Sequence, residues 1–254
     1  YHVEFDYMRY RHDADWLSKQ IGRYSFRRGK LVEQPTTLEN MSKAVYSEES
    51  KRWRFVQTLD WTRSFGKHDL GALVGYEAIR NWGFNTDMAK QGAADASLTD
   101  LSTYTELSNI TGTTWENTSR SFFGRLTYAY KSRYLFEVNA RYDGSSRFAP
   151  ESRWGFFPSF SGGWRVSEES FMQGSPFDNL KIRLSWGKLG NNSIGDYEWQ
   201  ATYSGSNYIF GDKLTSGLAQ TVIANQKLRW ESVTQTNIGL DFAILNNRLV
   251  GEFD

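Results

Sequence analysis

The sequence predicts an all-β fold of a specific kind: part of the wall of a transmembrane antiparallel β-barrel. Three observations carry that expectation. Segments of about ten residues alternate between apolar and polar side chains. The links between them alternate between short and long. Aromatic residues make up 16 % of a chain whose mean hydropathy is only −0.61.

Alternation is plain in Tyr134 to Asp143, where Tyr134, Phe136, Val138, Ala140 and Tyr142 share one face and Leu135, Glu137, Asn139, Arg141 and Asp143 the other. Side chains two apart on a strand lie on one face, so the segment has one oily side and one wet side. Leu180 to Gly187 repeats it, with Leu180, Ile182, Leu184 and Trp186 against Lys181, Arg183, Ser185 and Gly187. So do Phe156, Phe160, Trp164 and Val166 against Ser159, Ser161, Gly163 and Arg165. In 230–244, Ile238, Leu240, Phe242 and Ile244 oppose Gln235, Asn237, Gly239 and Asp241. Segments 1–11, 51–64, 69–80, 118–131 and 248–254 fit the same template, giving roughly nine crossings, each near the ~10 residues a tilted strand needs to span a bilayer. No apolar run approaches the ~18–20 residues of a transmembrane helix.

The short links are Gly66-Lys67, Lys131-Ser132 and Asn246-Asn247, with a compact connector from Ser167 to Asn179. The long polar ones cover 12–50, 81–117 and 191–228, with a shorter one at 149–155. If the strands run up and down in order, every short link falls on one side, as the periplasmic turns of outer-membrane barrels do. Trp53, Trp61, Tyr128, Tyr130, Tyr134, Trp154, Phe156 and Trp230 lie near the expected strand ends, where an interfacial girdle places aromatics. Both termini interrupt an alternation, so residues 1–254 are expected to be one stretch of a longer protein's barrel domain.

Composition narrows the function classes. A formal net charge of +1 offers no basic face for nucleic acid. The absence of Cys removes disulfides and thiolate metal sites. His2, His12 and His68 are far apart and fall in no zinc motif. Asp13 and Asp15 have a spacing seen in calcium loops, but no further oxygen ligands follow at fitting positions. The pairs Glu48/Glu49 and Glu168/Glu169 sit in polar, turn-like stretches, and adjacent strand residues point to opposite faces, so a glycosidase pair is not expected. Nucleophile-elbow and phosphate-loop motifs are absent. No catalytic residue, metal or cofactor is expected.

Several runs resemble the barrel of the SusC/RagA family of TonB-dependent outer-membrane transporters. They are Ser64 to Leu70 with Gly75-Tyr-Glu77, Ser121 to Leu135, Arg141-Tyr-Asp-Gly-Ser-Ser-Arg-Phe148, Arg153-Trp-Gly-Phe-Phe-Pro-Ser159, Gly163 to Glu168, Leu180 to Gly187, Leu189-Gly-Asn-Asn192, Leu228-Arg-Trp-Glu231 and Thr236 to Asp241. They occur in family order, and 1–50 matches only as a generic strand and loop. The resemblance implies a large barrel of 22 strands with a plug domain inside, in a Gram-negative, Bacteroidota-like outer membrane. It implies import of oligosaccharides or peptides beneath a SusD-like surface lipoprotein lid, powered by TonB–ExbB–ExbD acting on parts outside these residues.

Charged residues on the polar faces, Arg125, Glu137, Arg141, Arg165, Arg183 and Asp241, are expected to face the lumen or plug, because Arg or Lys at mid-bilayer costs roughly 2–4 kcal/mol. In Asp143-Gly-Ser-Ser-Arg147 a bent strand end is expected, with Arg147 paired to Asp143 or another lumen carboxylate. Trp82, Phe84, Trp115, Trp199, Tyr203 and Tyr208, in the long links, are the candidates for contact with cargo or lid. Two rivals remain: a soluble β-sandwich carbohydrate-binding module, and a passive porin or adhesin.

Overall fold

The computed structural model describes residues 1–18, 23–34, 41–95 and 97–254. Thirteen strands are present among them: β1 (His2–Ser18), β2 (Arg23–Arg27), β3 (Lys30–Gln34), β4 (Ser42–Phe65), β5 (His68–Ala93), β6 (Tyr104–Tyr130), β7 (Tyr134–Ser145), β8 (Trp154–Arg165), β9 (Phe177–Asn191), β10 (Thr202–Phe210), β11 (Lys213–Val222), β12 (Glu231–Ile244) and β13 (Leu249–Phe253). Nine of them form one sheet in the order β1-β4-β5-β6-β7-β8-β9-β12-β13, and the pairs β2-β3 and β10-β11 are separate hairpins. The nine sheet strands correspond to the nine alternating segments of the sequence.

Register aligns the alternation of one strand with that of the next. Tyr128 pairs with Phe136, Phe136 with Gly162, Gly162 with Leu184, and Leu184 with Ile238, all on one face. Adjacent to that row, Thr127, Glu137, Ser161, Ser185 and Asn237 pair in sequence on the other face. The apolar residues stay exposed: Phe136 at 54 %, Leu184 at 45 % and Leu240 at 37 %, whereas Glu137, Arg183 and Asp241 are half-buried. A soluble sandwich would reverse this, so the apolar face is the one that meets hydrocarbon.

Packing divides the chain into two units, the first comprising 1–6, 54–80 and 117–254, the second 7–53 and 81–116. In the first, aromatics line both ends of the apolar face. Tyr76, Phe122, Tyr142 and Trp154 make ring contacts at one end, with Tyr142 and Trp154 stacked at 4.8 Å. Tyr128, Tyr130, Tyr134 and Trp164 do so at the other, beside Phe65 and His68. Tyr128, Tyr130, Tyr134 and Trp154 of the expected girdle lie in these rows, and two of its other members depart from it. Trp230 turns into a local cluster, and Trp53 lies midway along β4. The turns at this second end are tight: Gly66, Lys131, Ser132, Leu245, Asn246 and Asn247 all take left-handed φ between 53° and 62°, as close-coupled hairpins require.

In the second unit, Met41, Ala93 and Tyr104 form a buried cluster against Leu17, with Tyr104 only 1 % exposed. Lys43, nearly buried, pairs with Asp15, and Glu49 takes both Arg9 and Lys51 at 2.5 Å. Segments 12–50 and 81–117 thus differ from the expected loops. Their outer parts are strand, which lengthens β4, β5 and β6 to 24, 26 and 27 residues. The parts at 19–22 and 35–40 lie outside the described residues. A strand that has left hydrocarbon no longer needs one apolar face, so its sequence looks like a polar loop although its backbone remains paired.

Placement on the outward face sets a sign that can be measured. Leu184→Arg is expected to destabilise the folded barrel in lipid vesicles by about 2–4 kcal/mol, while Ser185→Arg, one residue along on the polar face, costs much less. Denaturant titration of the full-length protein checks both.

Candidate functional site

The polar face of the first unit carries two ion-pair networks. Arg54 Nε donates to Glu77 Oε1 at 2.6 Å, and Arg54 Nη1 lies 3.3 Å from Glu4 and 3.5 Å from Asp6. Arg141 grips Asp143 through Nε and Nη2 at 3.2 and 3.1 Å, lies 3.7 Å from the far side of Glu77, and stacks over Phe123 at 5.3 Å. At the other side of the sheet, Arg183 binds Asp241 at 2.8 Å, Asp254 at 3.1 Å and also Glu252, with Lys181 3.8 Å from Asp241. Each of these charges has a partner of opposite sign, on its own strand for Arg141 and Asp143 and on another strand for Arg54 with Glu77 and Arg183 with Asp241, which keeps a charged wall compatible with its desolvated backing.

Beside these networks lies a concavity of about 700 Å³, lined on the polar side by Thr127, Glu137, Ser161, Gly163, Lys181, Arg183, Ser185 and Asn237. Ala129 and Leu135 also line it, so hydroxyl, glycine, aliphatic and charged groups share its surface. Such a surface can hydrogen-bond a polar occupant from many directions without fixing one orientation.

The structure therefore places Glu137, Arg183 and Asp241 as half-buried residues of the polar face, with Asp241 bound to Arg183 and with Arg141, exposed, in the other network. Arg125 projects from the same face as an exposed residue, in register with Asn139, to which Glu137 is also hydrogen-bonded. Arg165 is set apart at a strand end, held by Glu168 at 3.0 Å and the carbonyl of Ser132. Sequence reasoning missed Arg54, Glu77, Glu4, Asp6 and Glu252. Their polar-face parity was visible, but their partners depend on registers between strands distant in sequence.

The aromatic candidates do not form one group. Trp115 packs against Gly83, where an added Cβ would lie 3.0 Å from its ring. Trp82 and Phe84 flank Gly83 in sequence, so β5 turns them to its opposite face. Trp199 is half-buried, with its indole nitrogen enclosed. Tyr203 and Tyr208 are 60 % and 65 % exposed, but alternation along β10 sends them to opposite faces of the β10-β11 hairpin.

That hairpin is mounted on a corner formed by the sequence runs at 143–148, 153–159, 189–192 and 228–231. Arg147 pairs with Asp196 at 2.9 Å rather than with Asp143, and Asp196 also accepts from Asn117 at 3.1 Å. Asn192 donates to Ser145, and its carbonyl accepts from Arg147. Phe148, fully buried, packs on Trp230 at 5.3 Å. Trp230 in turn meets Phe157 edge-on at 5.2 Å and donates to the carbonyl of Arg153 at 2.9 Å. Two glycines permit the closeness: a Cβ on Gly144 would lie 2.9 Å from the Trp154 ring, and one on Gly190 would lie 2.1 Å from Phe157. Both ends of the 192–230 excursion are thereby tied to one short corner.

The tight-turn end has its own acidic hub. Glu169 accepts from Tyr134 Oη at 2.6 Å, from the Trp164 indole at 3.2 Å and from Arg133 at 3.2 Å. Its neighbour Glu168 is paired to Arg165, and Glu48 and Glu49 lie on β4 with donors of their own. These carboxylates are partnered wall elements instead of a free solvated edge. Asp13 accepts from Arg11 and Ser47 at 2.8 and 2.7 Å.

Two outcomes follow from the corner and the hub. Phe148→Ala should cost about 3–5 kcal/mol, the range for emptying a buried aromatic site. It should also raise protease cleavage within 192–230, as gel analysis of the full-length protein will record. The Tyr134 hydroxyl, then the Trp164 indole and the Arg133 charge, hold the Glu169 carboxyl below its ordinary value of 4.5. A lowered folded value stabilises the native state above the ordinary value, and that stabilisation disappears as pH falls through the folded one. Acid titration monitored by tryptophan fluorescence should show a transition below pH 4.5 that Glu169→Gln weakens.

All 254 residues, 1–254, match the family model for the TonB dependent receptor-like β-barrel. The TonB-dependent receptor SusC of Bacteroides thetaiotaomicron is 37 % identical over 202 residues, covering 77 % of this chain and 20 % of that protein. The TonB-dependent receptor P3 of Formosa agariphila is 35 % identical over 199 residues, with the same two shares. Among solved structures, the RagAB peptide transporter superposes with a TM-score of 0.79 at 25 % identity, covering 98 % of this chain and 26 % of its own. The chain spans about a fifth of the length of the curated relatives it matches. These relatives are outer-membrane proteins and not enzymes. By sequence, register and superposition together, the chain belongs to the TonB-dependent receptor β-barrel family, as a SusC/RagA-like portion of the transmembrane barrel.

Proposed function

We propose that this chain is wall of an outer-membrane importer that takes up oligosaccharides or peptides, with a SusD-like lipoprotein closing its mouth and TonB-derived energy driving entry. The observation that carries the reading is the two-faced sheet. One side is a continuous exposed apolar surface; the other holds paired, half-buried charges around a concavity of about 700 Å³. A wall so divided separates hydrocarbon from an enclosed polar interior. The solved neighbour named as a peptide importer supports peptide cargo, and the relative named as a TonB-dependent receptor supports TonB-derived energy. The exposed Tyr203 and Tyr208 on β10 offer rings to sugars, to peptide side chains or to the lid.

Deletion of the full-length gene should abolish uptake of one cargo class, and loss of TonB should reproduce the defect. Radiolabelled oligosaccharide and peptide panels distinguish the classes. Uptake that persists without TonB would instead indicate a passive porin. Replacing both Tyr203 and Tyr208 with Ala should raise the half-saturating cargo concentration roughly threefold to tenfold, in line with about 0.5–1.5 kcal/mol for an aromatic contact.

A further inference from the structure

The outward face is not uniformly smooth. In the first unit it contains an apolar groove of about 340 Å³, lined by Trp61, Leu70, Leu126, Tyr128, Phe136 and Val138 together with Ala72. The groove closes toward the tight-turn end at a polar contact, the 2.8 Å hydrogen bond between His68 Nδ1 and Tyr128 Oη. Immediately beyond it, two turn tips are joined, the Lys131 N–H donating to the Lys67 carbonyl at 2.7 Å. The Lys131 ammonium lies 5.4 Å over the Tyr130 ring, on the outward side. Lys67 and Lys131 are exposed, and neither is in an ion pair among the described residues.

We propose that this groove and its lysine pair form a site for one anionic glycerophospholipid, with an acyl chain in the groove and its phosphate between Lys67 and Lys131. The dimensions agree. From Tyr130 at the tip to Leu126 in the groove is four strand residues, about 13 Å at ~3.3 Å each, a path from headgroup depth into hydrocarbon. The charge agrees too. Glu169, bound to the Tyr134 that stacks on Tyr130, is occupied by Arg133, Tyr134 and Trp164, and alternation turns Asp69 to the polar face, away from His68 and Leu70. Two lysines are left with no protein anion at a depth where lipid phosphates lie.

Selectivity comes from the head and not from the tail. The bilayer is as apolar as the groove, so filling the groove yields packing but no net hydrophobic gain. A cation at the membrane surface favours an anionic lipid by roughly fivefold, so two give about twenty-five-fold. The groove then decides that the phosphate belongs to a lipid.

The inference requires the apolar face to meet lipid but does not require import. Failed uptake would leave it standing, and failed lipid retention would leave the import reading standing. Native mass spectrometry of the delipidated full-length transporter, offered phosphatidylglycerol, phosphatidylcholine or inorganic phosphate, tests it. The intact protein should retain one phosphatidylglycerol in preference to phosphatidylcholine. The Lys67→Gln/Lys131→Gln variant should lose about twenty-five-fold of that retention, Lys67→Arg/Lys131→Arg should keep it, and Ala72→Phe should abolish it by filling the groove. Thermal melting in detergent verifies folding, with Ala72→Leu as the milder filling if Ala72→Phe does not fold. Equal retention of both lipids, unchanged retention in the glutamine or groove variants, or displacement by millimolar inorganic phosphate overturns the proposal.

Discussion

Backbone hydrogen bonding in hydrocarbon is the constraint on which the rest of this structure depends. An unpaired N–H or C=O in lipid costs several kcal/mol, so each spanning strand must satisfy its polar backbone through its neighbours. Antiparallel pairing does this, and it then dictates the side-chain arrangement. Once Tyr128, Phe136, Leu184 and Ile238 occupy one transverse row, Thr127, Glu137, Ser185 and Asn237 must occupy the adjacent row on the opposite face. The charges on the polar face are consequences of register, and register is a consequence of leaving no backbone group unpaired.

The two ends of the strands solve different problems. At the tight-turn end the chain must reverse within a few residues, and Lys131, Ser132, Asn246 and Asn247 accept left-handed backbone to do it. The aromatic row and the Glu169 hub then fix the strand ends against each other. At the far end the 192–230 excursion leaves the nine-stranded sheet and forms its own hairpin. The corner at 143–157 supplies what the sheet does not. Arg147 holds the outgoing strand through Asp196, and Phe148 with Phe157 holds the returning one through Trp230. The β10-β11 hairpin, exposed along its whole length, is held at its base and presented from a rigid mount.

This division explains what was legible in the sequence. All nine sheet strands were visible, because hydrocarbon imposes period-two alternation and alternation survives in a single sequence. Strand length was not. In the outer parts of β5 and β6 the alternation is broken: in Asn81 to Ala93, Trp82, Phe84 and Met88 share their face with Thr86 and Lys90, and composition does not separate such a strand from a loop. The polar-face charges were legible by parity, but the pairing of Arg54 with Glu77, 23 positions away, was not. The runs at 143–148, 153–159, 189–192 and 228–231 stood out as a familiar pattern, yet nothing in their spacing indicated that they meet. Arg147 was expected on Asp143 or another lumen carboxylate; Arg141 takes Asp143, and Arg147 reaches Asp196 instead.

The same alternation limits how contact residues can be inferred. Trp82, Phe84 and Trp115 were candidates for cargo or lid contact as residues of a long polar link. On paired strands they divide, Trp115 over Gly83 and the other two turned away. Tyr203 and Tyr208 divide in the same way on β10. A residue's solvent is set by parity along its strand, so two neighbours can belong to different environments while residues dozens of positions apart share one. Function on such a wall is therefore assigned by row. The row through Tyr130, Tyr134, Trp164 and Ile182 belongs to the apolar face, the row through Glu137, Ser161 and Ser185 to the polar one, and a single-residue shift in register would exchange them.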